Sequence, residues 1–278
     1  MTVTFEHCKP YPGHVRAVIF DWAGTTVDYG SLAPVDALIE LFRRHGVIVS
    51  AEQARLPMGS HKKEHVRVIL AMASVSAQWQ RLQGRVPSGD DLERLYAEFV
   101  PLQKEVIGRH AHVIPGVADT VAWLRTQGIL IGSTTGYTRE MMSSLVVLAA
   151  AQGFSPESTV CADEVPAGRP APWMAITCAM RLGVYPMEAC VKVGDTLADV
   201  AEGLNAGMWT VGITKTGNEL GLTRTQVEAL PISELSSKLQ ARSERLLQAG
   251  AHYVIEEVAQ LPTIISEIEK RLTKSERP

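Results

Sequence analysis

Two aspartates stand where runs of apolar residues stop. Asp21 closes Arg16-Ala-Val-Ile-Phe-Asp21, and Asp195 closes Cys190-Val-Lys-Val-Gly-Asp195, with Asp199 four residues further on. A carboxylate that leads into a Gly/Thr-rich loop, here Trp22-Ala-Gly-Thr-Thr-Val27, can act as a nucleophile towards phosphorus while loop N–H groups cradle the phosphate oxygens. The second cluster, Gly194-Asp195-Thr-Leu-Ala-Asp199, suits a hard cation such as Mg²⁺, which takes oxygen ligands and neutralises phosphate charge. Each aspartate alone also reads as a cap, of a loop for Asp21 and of the following helix for Asp195 and Asp199. A third run ends in Ser133-Thr-Thr135. Ligands of open parallel sheets sit at the carboxyl ends of strands, so polar groups recurring at three such ends favour a site.

The elements that must carry these groups follow from the pattern. Arg16–Asp21 reads as a buried parallel strand. From Pro34 to about Ile107 no strand is convincing. Helices fit Pro34–His45, Ala51–Leu56, His61–Ala73 and Asp90–Ile107, with a loop over Gln83–Asp90. Helix and strand then alternate: helix Gly116–Gln127, strand Ile129–Ser133, helix Thr138–Gln152, helix Pro172–Leu182, strand Cys190–Asp195, helix Leu197–Ala206, strand Trp209–Ile213. The tail is helical from Leu222 to about Gln248, with a weak strand at Tyr253–Ile255 and a last helix near Pro262–Leu272. Alternation of this kind predicts βαβ units and a mostly parallel sheet, that is, an α/β fold. The helical block after the first strand reads as an insertion over residues 30–109, leaving 1–29 and 110–278 as the core.

Composition narrows the function classes. The 278 residues carry 27 Lys+Arg against 30 Asp+Glu, a formal charge of −3, which gives no electrostatic reason to expect nucleic acid. With 46% hydrophobic residues a sizeable core is available. The cysteines, Cys8, Cys161, Cys178 and Cys190, form no CxxC pair and read as buried thiols of a reducing compartment rather than a zinc site or disulfide framework. Met1–His14 lacks the apolar core of a signal peptide, and no apolar stretch approaches the ~20 residues that span a bilayer. A cytoplasmic enzyme without membrane contact is the expectation.

The same residues carry a resemblance. Asp21-Trp-Ala-Gly-Thr-Thr26 resembles the first motif of the haloacid dehalogenase-like superfamily; Thr135, Arg169 and Gly194-Asp195-x-x-x-Asp199 resemble the second, third and fourth. Most phosphatases of that superfamily carry an acidic Asp two residues after the nucleophile; here that position is Ala23, which speaks against ordinary ester hydrolysis. The departure matches the phosphonoacetaldehyde hydrolase (phosphonatase) family. Ile19-Phe-Asp-Trp-Ala-Gly-Thr-Thr-Val-Asp-Tyr-Gly30, Gly132-Ser-Thr-Thr-Gly-Tyr-Thr-Arg-Glu-Met-Met142, Val165-Pro-Ala-Gly-Arg-Pro170, Val193-Gly-Asp-Thr196 and Ala206-Gly-Met-Trp-Thr-Val-Gly212 are similar to its signatures. The resemblance runs from about Val15 to the C-terminus.

It implies a Rossmann-like core with an inserted helical cap, and hydrolysis of a carbon–phosphorus bond through a lysine Schiff base and an aspartyl-phosphate. The family's Met-Gly-x-x-Lys stretch falls on Met58-Gly-Ser-His-Lys62, which selects Lys62 over its neighbour Lys63. The amine must be neutral to attack, so its pKa must fall well below the usual ~10.4. His65, three residues on, is read equally as a proton relay or as a structural histidine. The resemblance further implies Asp21 as nucleophile, and Mg²⁺ held by Asp21, the main-chain oxygen of Ala23 and Asp195, with Asp199 behind them. Arg169, Thr135 and Gly136 are implied at the phosphoryl group, while Tyr137 and Met58 face the aldehyde or merely pack. Thr25 and Thr26 have the same two readings. The implied partners are a small phosphonate substrate and a second copy in a homodimer, for which Pro34–His45 and the tail offer apolar faces. A generic phosphatase using Asp21 alone, a dehalogenase and a non-catalytic phosphate-binding module are the rivals; Ala23 argues against the first and the Asp195 cluster against the second.

Overall fold

The computed structural model describes residues 11–278; of the stretch Met1–His14, residues 1–10 with Cys8 lie outside the described part. Six strands, β1 Ala17–Phe20, β2 Leu130–Thr135, β3 Ser158–Cys161, β4 Cys190–Gly194, β5 Trp209–Ile213 and β6 Tyr253–Ile255, pair in the order β3-β2-β1-β4-β5-β6. Every pairing is parallel. β1 is buried on both faces, as a central strand covered by helices must be. Phe20 stands opposite Ser133 on one side and Val193 on the other. This register brings Asp21, Thr135 and Asp195 off the sheet within one residue of a common level, at the carboxyl ends of three adjacent strands.

Five helices lie between β1 and the next sheet-packed helix: α1 Ala33–Arg44, α2 Ala51–Arg55, α3 Lys62–Ala71, α4 Ala73–Gln83 and α5 Gly89–Arg109. Then follow α6 Val117–Thr126, α7 Arg139–Ala150, α8 Trp173–Arg181, α9 Leu197–Asn205, α10 Arg224–Ala229, α11 Ile232–Gln248 and α12 Leu261–Thr273. The block predicted to be helical is so. Its one continuous helix over His61–Ala73 is corrected, because Met72 is extended (ψ 134°) and splits α3 from α4. The tail is likewise broken at Leu230-Pro231 between α10 and α11. β3, which the apolar pattern does not reveal, is one of the two edge strands. Cys161, Cys178 and Cys190 are free and buried.

The chain passes between sheet and helical block twice, and the two crossings are tied together. Asp28 accepts from the Leu32 and Ala33 amides (3.0 and 2.9 Å), which fastens the start of α1. His110, just past α5, sits 3.4 Å from the Asp28 carboxylate and 3.3 Å from that of Asp36. Hydrogen bonds to these carboxylates push its pKa up to about 9 from 6.5. A histidine raised on folding stabilises fully below its unfolded pKa and loses that contribution as pH rises through the folded one. His110→Asn is therefore expected to lower the melting temperature at about pH 6 and to leave it nearly unchanged at about pH 10. Thermal unfolding of both proteins across that range checks the sign; an equal loss at both ends would assign the effect to packing.

Candidate active site

Above the strand ends, Arg169 organises a buried array. Its Nη1 lies 2.7 Å from Asp21 Oδ1 and 3.0 Å from Asp199 Oδ1; Nε donates to Glu202 Oε2 at 2.8 Å. Nη2 donates to the Thr134 carbonyl and hydroxyl, and that hydroxyl donates to Glu202. Lys192, in the middle of β4 and fully buried, sits 2.9 Å from Asp199 Oδ1 and 3.3 Å from Glu202 Oε2. Two cations thus meet three carboxylates, and the fixed guanidinium presents one nitrogen to Asp21. A charge-assisted array of this kind holds its shape only because each ion has partners out of water.

Asp199 answers both of its predicted readings. It completes a capping box with Thr196 at the start of α9, and it also faces the site. Burial alone would raise its pKa, yet Arg169 and Lys192 hold it low. Asp21 is raised, by burial and then by Asp199, with Arg169 and Lys192 opposing. Asp195 is raised much further, by burial and by the two neighbouring aspartates. It faces no cation within salt-bridge distance among the described residues; Thr25 Oγ1 donates to one oxygen (3.1 Å) and the Asn218 amide to the other (2.6 Å). Oxygens of Asp21, Asp195 and Asp199 lie within 4.8 Å of one another, the one such acidic cluster among the described residues. An oxygen-rich, carboxylate-crowded corner whose anions repel is what a hard cation relieves, so these residues fit a bound metal. Thr26, by contrast, bonds only the Asp21 and Trp22 carbonyls and serves its own loop.

The helical block closes this array from above. Gly59 (φ +87°) touches α9 so closely that a Cβ would sit 2.5 Å from Thr196 Oγ1, and one on Gly136 would sit 2.6 Å from the Ser60 carbonyl. Between the two layers remains a cavity of about 20 Å³, whose walls include Asp21, Ala23, Lys62, Thr135, Tyr137 and Arg169. Met58, Arg169 and Thr196 also line a groove of about 590 Å³ that leads out. Lys62, first residue of α3, is 3% exposed; its Nζ stands 3.9 Å from Met58 Sδ and 5.1 Å from the centre of the Tyr137 ring. Lys63 turns outward to an ion pair with Glu93 at 2.6 Å. Burial, seconded by Arg169 and opposed by Asp21, Asp195 and Asp28, brings the Lys62 amine down to about 8. Burial also drives the Tyr137 phenol well above its usual range, so it stays protonated.

His65 is wholly buried, its Nε2 2.7 Å from the Ala54 carbonyl and its Nδ1 without a partner among the described residues. Burial and the Lys62 charge push its pKa down to about 3, so the ring is neutral with the proton on Nε2. The Thr135 hydroxyl accepts from the Tyr137 amide.

A family model described as haloacid dehalogenase-like hydrolase matches residues 15–207. The chain is 47% identical over 274 residues to a phosphonoacetaldehyde hydrolase of Syntrophobacter fumaroxidans, covering 99% of both. It is 49% identical over 257 residues to one of Bacillus cytotoxicus, covering 92% of this chain and 97% of that one. The chain belongs to the phosphonoacetaldehyde hydrolase family.

Family membership makes it a hydrolase acting on a small molecule, with the helix-covered parallel sheet of the haloacid dehalogenase-like fold. A crystal structure of a phosphonoacetaldehyde hydrolase-like protein from Oleispira antarctica superposes with a TM-score of 0.97 at 43% identity, covering 99% of this chain and 100% of that one. A putative beta-phosphoglucomutase from Bacteroides vulgatus, at 16% identity and a TM-score of 0.64 over 94% of this chain and 91% of that one, shares the fold alone. Hydrolases of this superfamily generally use a metal ion, and the Asp21–Asp195–Asp199 cluster is where this family member offers one a place. Of the residues expected from the sequence, Asp21, Ala23, Met58, Lys62, Thr135, Gly136, Tyr137 and Arg169 line this cavity, Asp195 and Asp199 meet Asp21 beside it, and His65 does not reach it. Sequence reasoning missed Lys192, Glu202 and Thr134. A lysine inside an otherwise apolar parallel strand was the available signal, since such a charge needs buried partners.

Proposed function

We propose that this hydrolase cleaves the carbon–phosphorus bond of phosphonoacetaldehyde, giving acetaldehyde and phosphate. The observation that carries the reading is a buried amine, Lys62, sharing one small cavity with the carboxylate Asp21. Neutral Lys62 condenses with the aldehyde and releases water. Asp21 then attacks phosphorus; the P–C bond breaks and its electron pair passes into the protonated imine, leaving an enamine. Protonation at carbon and hydrolysis free acetaldehyde and the lysine, and water cleaves the aspartyl-phosphate. Ala23 fits this order of events, because a carbon leaving group carries no oxygen for an acid at that position to protonate.

Arg169 orients the phosphoryl oxygens through the nitrogen it turns to Asp21, and Thr135 with the Gly136 amide holds their far side. Mg²⁺, taken up by Asp21, Asp195 and the Ala23 carbonyl and backed by Asp199, would supply charge neutralisation at the phosphoryl group. Met58 and Tyr137 keep the amine desolvated. His65, neutral and committed through Nε2, offers its bare Nδ1 as an acceptor one turn from Lys62 rather than carrying charge. A cavity of about 20 Å³ holds roughly one water. Substrate entry therefore requires residues 30–109, as a cap, to lift from the core formed by 1–29 and 110–278.

A homodimer belongs to the same reading. The apolar faces of α1 and α12 are buried within the chain, but Trp173 and Met180, seven residues apart on α8, are exposed and suit a second copy. No helix among the described residues is long and apolar enough to cross a membrane.

Borohydride treatment in the presence of phosphonoacetaldehyde and Mg²⁺, followed by peptide mass mapping, tests the scheme. Reduction is expected to fix the label on Lys62. Labelling yield at short times should rise with pH through about 8 and then level, since only the neutral amine condenses. No label, with hydrolysis of ordinary phosphate esters instead, would reduce the protein to an Asp21-dependent phosphatase.

A further inference from the structure

The guanidinium of Arg55 carries the helical block's hydrogen bonds to the loop after β5, as Lys104 carries one to Glu140 on α7. Arg55 ends α2, three residues before Met58, and reaches across the closure into the sheet layer. Nη1 donates to the Gly30 carbonyl (2.9 Å), the Ser31 carbonyl (3.3 Å) and Asn218 Oδ1 (3.0 Å), and Nη2 donates to the Gly221 carbonyl (3.1 Å). Asn218 answers by donating Nδ2 to the Arg55 carbonyl at 3.5 Å. Its backbone amide meanwhile makes the 2.6 Å bond to Asp195 Oδ2. One residue thus holds the helical block through its side chain and the crowded aspartate through its main chain.

We propose that Arg55 and Asn218 form a latch that couples closure of the helical block to the orientation of Asp195, and so to the affinity of the metal site. The inference rests on the reading of Asp195 as a metal ligand. A carboxylate fixed by an amide is only as well placed as the loop that carries the amide, and that loop is anchored here by a planar fork whose bonds span two layers. All four acceptors of Arg55 are neutral oxygens, and no carboxylate stands within salt-bridge distance of it among the described residues. The fork is therefore spent on fixing this loop rather than on pairing with a carboxylate. When the block lifts, the fork leaves the loop and its hold on the Asn218 amide is lost. Arg55 is a positioning residue: it does not itself line the cavity, and it does not touch the proposed nucleophile.

Calorimetric titration of the full-length protein with Mg²⁺ alone tests this without reference to turnover. The parent is compared with Arg55→Met, Asn218→Ala and the double variant, each first shown to be folded by circular dichroism. Both single substitutions are expected to weaken Mg²⁺ binding about tenfold, as the loss of a partner behind a ligand does. The double is expected to be no weaker than the worse single, because the two act through one path. Arg55→Lys, which keeps the charge but cannot fork, should fall between the parent and Arg55→Met, and it carries the test if Arg55→Met does not fold. An unchanged Mg²⁺ Kd in folded single variants, or losses that add in the double, overturns the latch alone. Absence of Mg²⁺ binding by the parent overturns the metal reading, and the latch with it.

Discussion

Lys62→Arg is expected to lower turnover of phosphonoacetaldehyde by at least about 10⁴-fold, because it removes covalent catalysis outright. The substitution keeps a positive charge opposite Asp21 and Asp195, so the ionisation of the aspartates is disturbed little. What it removes is the neutral form. Burial brings the lysine amine down to about 8, whereas a guanidinium stays protonated throughout the working range. Without an imine there is no electron sink, and the P–C pair has nowhere to go. Arginine is also larger than the cavity of about 20 Å³ comfortably allows. Lys62→Met, which conserves apolar volume and stands next to Met58, separates the two causes, since both variants lose turnover if chemistry decides. Steady-state release of acetaldehyde and phosphate provides the measurement. Activity within tenfold of the parent in either variant would remove Lys62 from the mechanism.

Asp21→Asn is expected to be equally severe for product release, a loss of about 10⁵-fold, since the amide is no nucleophile towards phosphorus. Its distinguishing mark lies elsewhere. Asp21 opposes the lowering of the Lys62 pKa, so neutralising it drives that pKa further down and leaves more free amine at neutral pH. Borohydride labelling of Lys62 should therefore persist in Asp21→Asn and set in at lower pH than in the parent. Loss of labelling together with loss of turnover would mean that Asp21 is needed to build the imine, and that the two steps are not successive.

Much of this was legible in the chain because parallel sheets write their strands as apolar runs and put function at the ends. β1 and β4 stop within a residue of Asp21 and Asp195, as their patterns indicate. β3 escaped because Ser-Thr-Val-Cys is short, hydroxyl-rich and at the sheet edge, with one face half open. α4 escaped because only Val75 and Trp79 of its eleven residues are buried, too few to write a helical period. Lys62 and Lys63 illustrate the limit at a site. Adjacent on α3, they differ by about 100° of rotation, and only the packing of the block on the sheet sends one to Met58 and the other to Glu93. Glu202 lay one turn beyond Asp199 on α9, but its partner Arg169 is 33 residues away in sequence. Contacts of that range are made by folding and leave no local trace.

Asp21, Thr135 and Asp195, which would handle phosphorus, hang from strand ends, and the amine that would handle carbon hangs from the helices inserted after β1. In the proposed reaction these are two separable trades meeting across one seam. The sheet side accepts the phosphoryl group and, through Ala23, withholds the acid that an oxygen leaving group would need, while the inserted side determines how a carbon leaving group is made willing to leave. A lineage could thus acquire a new leaving group by remodelling the insertion together with that one loop position. Protein engineers have the same freedom: the helices from Ala33 to Arg109 are the exchangeable tool, and the six-stranded sheet is the handle.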